Sequence, residues 1–157
     1  SPGEDRYRRG IYVVWKRTSP YPSFINFDAT GRNACVVKRS RSNTPLQALT
    51  LLNDPVYVEA AAGLAKRVLN EKPQGTVAER IRHAFILCLA RSPKASEAAV
   101  LERLYREQLE SARQDIESAR RTVGEFIPDA QMDVPEFSAW HAVAWALLNL
   151  NETITKG

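Results

Sequence analysis

The sequence lacks the residues and motifs on which most predictions of enzymes and metal sites depend. Its two cysteines, Cys35 and Cys88, lie 53 positions apart, and no CxxC or CxxCH pair occurs. Two cysteines cannot build a disulfide scaffold, and zinc or haem attachment requires closer spacings. The two histidines, His83 and His141, have no second ligand three or four positions later in the sequence, and HExxH, GxSxG and glycine-rich phosphate loops are absent. We therefore predict no catalytic residue, metal site or cofactor in this stretch.

Long apolar runs are also missing. No stretch approaches the roughly 20 apolar residues that cross a bilayer, and no charged segment followed by an apolar one suggests a signal peptide. We predict no membrane span. Because the chain opens Ser-Pro-Gly without an initiator methionine, we interpret it as a piece of a longer protein.

The charge and the aromatic residues are concentrated at the N-terminus. Residues 1–45 contain nine Lys and Arg against three Asp and Glu, a balance of +6, whereas residues 46–157 contain thirteen against fifteen, a balance of −2. Six of the thirteen aromatic residues lie within the first 27 positions. We interpret the chain as one helical domain with a basic, aromatic-rich arm at 1–43 and a helical bundle at 44–157. Such an arm either attracts polyanions or pairs its arginines with carboxylates.

Helix signals dominate the remainder, and they predict an all-α fold. Thr44 and Gln47, with proline at position 45, form a capping box, and Thr76 and Glu79 form a second one. Asp54 precedes a proline and caps the next helix. Short connections between these segments favour antiparallel neighbours. We predict an irregular bundle of five or six helices with an irregular N-terminal arm.

The spacing of apolar residues predicts which faces are buried. Leu46, Leu49 and Leu52 are expected to form the buried side of the helix that begins at Pro45. A narrow stripe from Tyr105 to Val123 predicts one long helix over 96–123, capped by Ser96. In the arm, Tyr7, Ile11, Val14 and Trp15 recur at helical spacing and suggest a helix with one buried face, although Gly10 weakens it.

The candidate binding site precedes the helix at Pro45 and consists of Arg32, Arg39, Arg41 and Asn43. If residues 37–41 are extended, Arg39 and Arg41 point to the same side. The free amides of a helix N-terminus favour an anion, and a guanidinium binds phosphate, sulfate or carboxylate through two hydrogen bonds. The alternative is that these arginines bond to Asp28, Asp54 or helix carbonyls and hold the loop in place.

Several segments together resemble a known family. YVVWKR at 12–17, NTPLQALTLLND at 43–54 and LLNLNE at 147–152 resemble the C-terminal domain of unknown function in planctomycete-type cytochrome c multidomain proteins. The resemblance implies an all-helical domain at the end of an extracytoplasmic bacterial protein, periplasmic or secreted. It also implies that a c-type haem belongs elsewhere in the parent, and it assigns no activity.

Three functions are consistent with these observations. The first is a non-catalytic interaction or ligand-binding module that contacts other domains of the parent, or an anionic ligand or glycan. The second is part of a hydrolase or redox enzyme completed by upstream domains, which a pocket joining Asp28, Arg39, Asn43 and Asp54 would favour. The third is nucleic-acid binding through the basic arm, which an extracytoplasmic setting opposes. We favour the first.

Overall fold

The computed structural model describes residues 10–16, 18–31, 34–38, 42, 44–123, 126 and 132–154. Within these ranges the chain contains no β-strand, which confirms the predicted all-α fold. The described elements are a short 3-10 helix at Gly10–Tyr12 and the helices α1 (Pro22–Asn26), α2 (Pro45–Asn53), α3 (Pro55–Glu71), α4 (Val77–Leu89), α5 (Ala95–Gln114), α6 (Ile116–Val123), α7 (Val134–Leu148) and α8 (Asn151–Ile154).

The chain divides into two compact units, Ser1–Val56 and Tyr57–Gly157, which we call unit 1 and unit 2. Unit 1 contains α1 and α2, and unit 2 contains α4 to α8 and nearly all of α3. The predicted division into an arm at 1–43 and a bundle at 44–157 places the boundary elsewhere, and it stays a prediction.

Helix α7 provides the centre of the unit 2 core. Phe137, Trp140, Val143 and Leu147 repeat at spacings of three and four, and each is at most 1% exposed. Helices α4, α5, α6 and α8 pack against α7, and the ring centroid of Tyr105 lies 4.9 Å from that of Trp140. Small residues of α3 complete the core: Ala61, Ala62, Ala65 and Val68.

The predicted helix over 96–123 is two helices in the structure. Asp115 has non-helical dihedral angles and separates α5 from α6. Its carboxylate accepts a 2.8 Å hydrogen bond from the backbone N–H of Ser118 and so caps α6. The prediction that Ser96 caps the first of these helices is also wrong. Helix α5 begins one residue earlier, at Ala95, and the N–H of Lys94 donates to the Glu97 side chain at 2.7 Å.

Two arginines bind segments of unit 2 together. Arg80, whose side chain is 11% exposed, donates to the carbonyl oxygens of Lys72 and Pro73 and forms a 2.6 Å ion pair with Glu136 on α7. Arg91 donates two hydrogen bonds to each of Glu97 and Glu152. These guanidinium groups therefore join the α3–α4 connection to α7, and the α4–α5 connection to α8.

Both predicted capping boxes are present. The Thr44 hydroxyl accepts from the Gln47 backbone and the Gln47 side chain accepts from the Thr44 backbone; Thr76 and Glu79 do the same at α4. None of the described helices is both long and apolar enough to span a membrane.

Candidate functional site

The four residues of the predicted binding site, Arg32, Arg39, Arg41 and Asn43, lie outside the described residues. The structure does describe residues close to them in sequence, namely Asp28, Ser42 and the first turn of α2. The anion-binding role of the four stays a prediction.

A polar network ties the Asp28 loop to the first turn of α2. Asp28 has a φ of 56°, a left-handed conformation that Asp tolerates better than most residues. Its carboxylate accepts a 2.7 Å hydrogen bond from the Ser42 backbone N–H and a 2.8 Å bond from the Ser42 hydroxyl. The Gln47 amide in turn donates to that hydroxyl at 3.1 Å. Gln47, only 3% exposed, is thus the buried end of the network.

The capping box occupies donors that an anion at the start of α2 would need. The N–H of Gln47 donates to the Thr44 hydroxyl and the N–H of Thr44 donates to the Gln47 side chain, both at 3.3 Å. Pro45 has no N–H to offer. The capping box therefore leaves few amide donors for an anion at this end of α2, although the helix dipole still favours one.

The expected orientation of α2 is wrong. Leu46, Leu49 and Leu52, predicted to be buried, are 54%, 55% and 45% exposed. The residues buried on α2 are Gln47 and Leu51. We call the three exposed leucines the α2 apolar face.

Hydrogen bonds between α1 and α2 explain this orientation. The Asn26 amide donates to the Thr50 hydroxyl at 2.9 Å, and the Ser23 hydroxyl donates to the Asp54 carboxylate at 3.1 Å. Asp54 also accepts from the backbone N–H of Val56 at 3.0 Å, as expected of the residue before α3. Helix α1 therefore bonds to the polar side of α2, and the apolar face is left to solvent.

The aromatic residues of the arm contact one another. The Trp15 and Phe24 rings are stacked with centroids 5.7 Å apart, and Tyr21 packs edge-on against Phe24 at 5.6 Å. A Cβ at Gly10 would lie 2.9 Å from the Phe24 ring, so a larger residue there would require that ring to shift. The predicted helical face is not formed, since only a 3-10 turn exists at Gly10–Tyr12 and Ile11 and Val14 are more than 70% exposed. Tyr7 lies outside the described residues.

The histidines have local partners. His83 Nε2 lies 2.6 Å from the Glu71 carboxylate, which also receives a hydrogen bond from Arg67. The Arg67 bond, followed by the His83 contact, lowers the pKa of Glu71. His141 is 2% exposed and contacts the Val58 carbonyl oxygen at 3.3 Å, and burial lowers its pKa.

The thiols are free, and the acidic residues form no cluster that could hold a metal ion in the described part of the chain. Cys35 is exposed and Cys88 is half-buried, and both are free thiols; burial raises the pKa of Cys88. No group of three or more His, Cys, Asp and Glu side chains in the described ranges could hold a metal ion. Asp28 and Asp54, suggested as members of one pocket, bond to different serines.

Comparison with known proteins gives a family and no activity. The model of the PSD1 family, described as proteins of unknown function (DUF1553), matches residues 1–105. This range includes all of unit 1 and reaches into α5. No curated protein and no solved structure matches the chain. The match covers two thirds of the sequence, and the chain therefore belongs to the PSD1 family of proteins of unknown function.

Proposed function

We propose that this chain is a non-catalytic interaction module whose unit 1 binds another domain of the same parent protein. The surface that it binds is apolar at its centre and acidic at its rim. The observation that carries this proposal is the orientation of α2, in which Leu46, Leu49 and Leu52 are exposed while the polar Gln47 is buried.

Hydrogen bonds hold α2 in the orientation that exposes its apolar face. Gln47 is bonded to Ser42, and Thr50 is bonded to Asn26, so turning the leucines inward would break both contacts. Each buried polar group left without a partner costs about 1–3 kcal/mol. Water exposure of three leucines is also unfavourable, by roughly 25 cal/mol per Å² of apolar surface. A partner that covers the leucines removes them from water and leaves both hydrogen bonds intact.

Charge complementarity identifies the rim of that partner. Residues 1–45 carry a net charge of +6, whereas residues 46–157 carry −2, so the excess positive charge of the chain lies in its first 45 residues. Arg39 and Arg41, assisted by Arg32 and Asn43, would hold carboxylates at the rim, in a pairing that favours orientation and association rate as much as affinity. A free anionic ligand or glycan is the alternative occupant of the arginines.

The resemblance to planctomycete-type cytochrome c proteins supports the wider setting. By that resemblance we propose an exported parent protein, periplasmic or secreted, in which the chain is the C-terminal part and a c-type haem module is a separate domain. The partner surface would then belong to one of the other domains of the parent.

Site-specific photocrosslinking in the full-length parent tests the proposal. A benzophenone amino acid replaces Leu49 in one variant and Val100 in a control, since these side chains are 55% and 54% exposed but lie in different units. We expect Leu49 to crosslink to an acid-rich segment elsewhere in the parent, and Val100 not to. Equal yields at the two positions, or crosslinks only between two copies of this chain, would contradict the proposal.

A charge variant tests the rim. Replacing Arg39 and Arg41 together by Gln should lower the Leu49 crosslinking yield and leave the far-ultraviolet circular dichroism spectrum unchanged. Loss of helix content in this double variant would show instead that the two arginines hold the loop.

A further inference from the structure

A polar cleft in unit 2 shares no lining residue with the α2 apolar face. It lies between the junction of α5 with α6 and the neighbouring helix α7, and its volume is about 230 Å³. Ligand sites for drug-sized molecules have roughly 300–1,000 Å³, so this cleft has room for one ring-sized molecule. All of its lining residues lie outside residues 1–105, the range that the family match covers.

The wall of the cleft on α5 and α6 is rich in groups that can both donate and accept hydrogen bonds. Helices α5 and α6 meet at Asp115. The polar residues of the wall are Gln108, Ser111, Asp115, Ser118 and Thr122, and Ala112 and Ala119 complete it. Hydroxyl and amide groups of this kind match the alternating donors and acceptors of a polyol.

The floor on α7 adds an aromatic ring and a buried imidazole. Ser138, His141 and Trp145 line it, and the ring centroids of His141 and Trp145 lie 5.8 Å apart. The Nε2 of His141 contacts the Val58 carbonyl oxygen, which can only accept, so Nε2 carries the ring proton. Burial keeps the ring neutral by lowering its pKa. Nδ1 of His141 therefore presents a lone pair that can accept a hydrogen bond.

The charge of the lining restricts the ligand further. Asp115 alone among the described lining residues is charged when His141 is neutral, and one of its oxygens already accepts from Ser118 N–H. The other oxygen can accept from a hydroxyl and repels an anion. The cleft is thus suited to a neutral molecule with several hydroxyl groups and one apolar ring face.

We propose that the α5–α6–α7 cleft binds a neutral sugar ring, with Trp145 against its apolar face and with Asp115, Gln108 and His141 on its hydroxyl groups. The ring is either a free monosaccharide or one unit of a glycan. This proposal stands on unit 2 residues and does not depend on the α2 apolar face.

The three tryptophans offer an internal control for the test. A ¹⁵N-labelled chain gives one indole N–H signal each for Trp15, Trp140 and Trp145, and replacing Trp145 by Phe assigns the signal of interest. Methyl glycosides of glucose, galactose and mannose, and N-acetylglucosamine, are titrated to tens of millimolar. We expect at least one to shift the Trp145 signal saturably and to leave Trp15 and Trp140 in place. No saturable shift with any probe, or equal shifts of all three signals, would overturn the proposal.

Matched variants localise the binding. Gln108 lines the cleft and Gln114, on the same helix, is not among its lining residues. Gln108→Ala should weaken the bound glycoside about fivefold, the loss of roughly one hydrogen bond, whereas Gln114→Ala should not. Equal effects of the two substitutions would place the sugar elsewhere.

Two further probes define the ligand. Glucuronate should bind more weakly than the methyl glucoside because Asp115 repels it, and tighter binding of glucuronate would contradict a neutral ligand. Binding of an oligosaccharide of the preferred sugar at least tenfold more tightly than the monosaccharide identifies a glycan as the source. Equal binding identifies the free sugar.

Discussion

The two units of this chain distribute their apolar residues in opposite ways. Among the described residues, eighteen of the nineteen buried hydrophobic side chains belong to unit 2, and the exception is Leu51. Eleven of the fifteen exposed large hydrophobic side chains belong to unit 1, although it is the shorter unit. Unit 2 therefore has a hydrophobic core of its own. Unit 1 instead exposes to solvent many apolar side chains of the kind that normally form a core.

The two units also use polar contacts differently. In unit 2 the guanidinium of Arg80 lies at the edge of an apolar core and bonds to the carbonyl oxygens of Lys72 and Pro73. In unit 1 the Asp28–Ser42–Gln47 network is itself buried at the Gln47 end, and the leucines lie outside. A network of this kind fixes geometry but contributes little net stability. The difference indicates that unit 1 is shaped to present a surface and that unit 2 supplies the stability.

The largest expected effect comes from the unit 2 core. Phe137 is fully buried, and Phe137→Ala should lower the free energy of unfolding by about 3–5 kcal/mol because it removes transfer energy and leaves a cavity. Leu49→Ala in unit 1 should change it by less than about 0.5 kcal/mol, since Leu49 is 55% exposed. Urea denaturation followed by circular dichroism measures both. A loss of more than 2 kcal/mol from Leu49→Ala would show that the α2 apolar face is covered in the isolated chain.

Predictions from sequence were accurate for interactions between residues that lie close together in the chain. The two capping boxes depend on residues three positions apart, and each forms as predicted at Thr44 and Thr76. The core positions of α7 follow from spacing alone, because a helix that is apolar on nearly all sides must be buried. Phe137, Trp140, Ala144 and Leu147 are all buried.

The errors arose where distant residues decide the outcome. The apolar stripe continues in register from Ala112 to Ala119 and Val123, so periodicity alone gave no sign of the break that Asp115 makes. The orientation of α2 depends on Gln47 bonding to Ser42 and on Thr50 bonding to Asn26, 24 positions away. The α5–α6–α7 cleft brings together side chains from Gln108 to Trp145 that no short motif connects.

Loss of a capping box should have a smaller effect on stability. Each unit has one capping box that begins with threonine, so the same substitution can be compared in the two units. Thr44→Ala and Thr76→Ala each remove a hydroxyl that accepts from the helix backbone, at a cost of about 1 kcal/mol. Since Thr76 begins a helix of the unit 2 core, its substitution should lower the hydrogen-exchange protection of α4, α5 and α7 together. Thr44→Ala should lower protection in α2 alone. Equal losses across α7 in both variants would show that the two units unfold as one.

The smallest effect concerns the pH dependence of unit 2 and centres on Glu97. Hydrogen bonds from the Arg91 side chain, and then from the Lys94 backbone, lower the pKa of Glu97 from 4.5 to about 2; Arg91 also lowers the pKa of Glu152. Both pKa values are lower in the folded than in the unfolded chain, so the stabilisation is complete above about pH 4.5 and is lost as the pH falls toward 2. These groups are solvent-accessible, which keeps the effect modest.

Thermal unfolding measured from pH 7 to pH 2 tests this. The Tm should fall more steeply below pH 4.5 in the wild type than in Arg91→Gln. Arg103→Gln is the control, because the 3.8 Å ion pair between Arg103 and Glu107 is highly exposed. Parallel curves for all three would mean that the Arg91 contacts contribute no measurable stability, and the attachment of α8 would then rest on its apolar contacts.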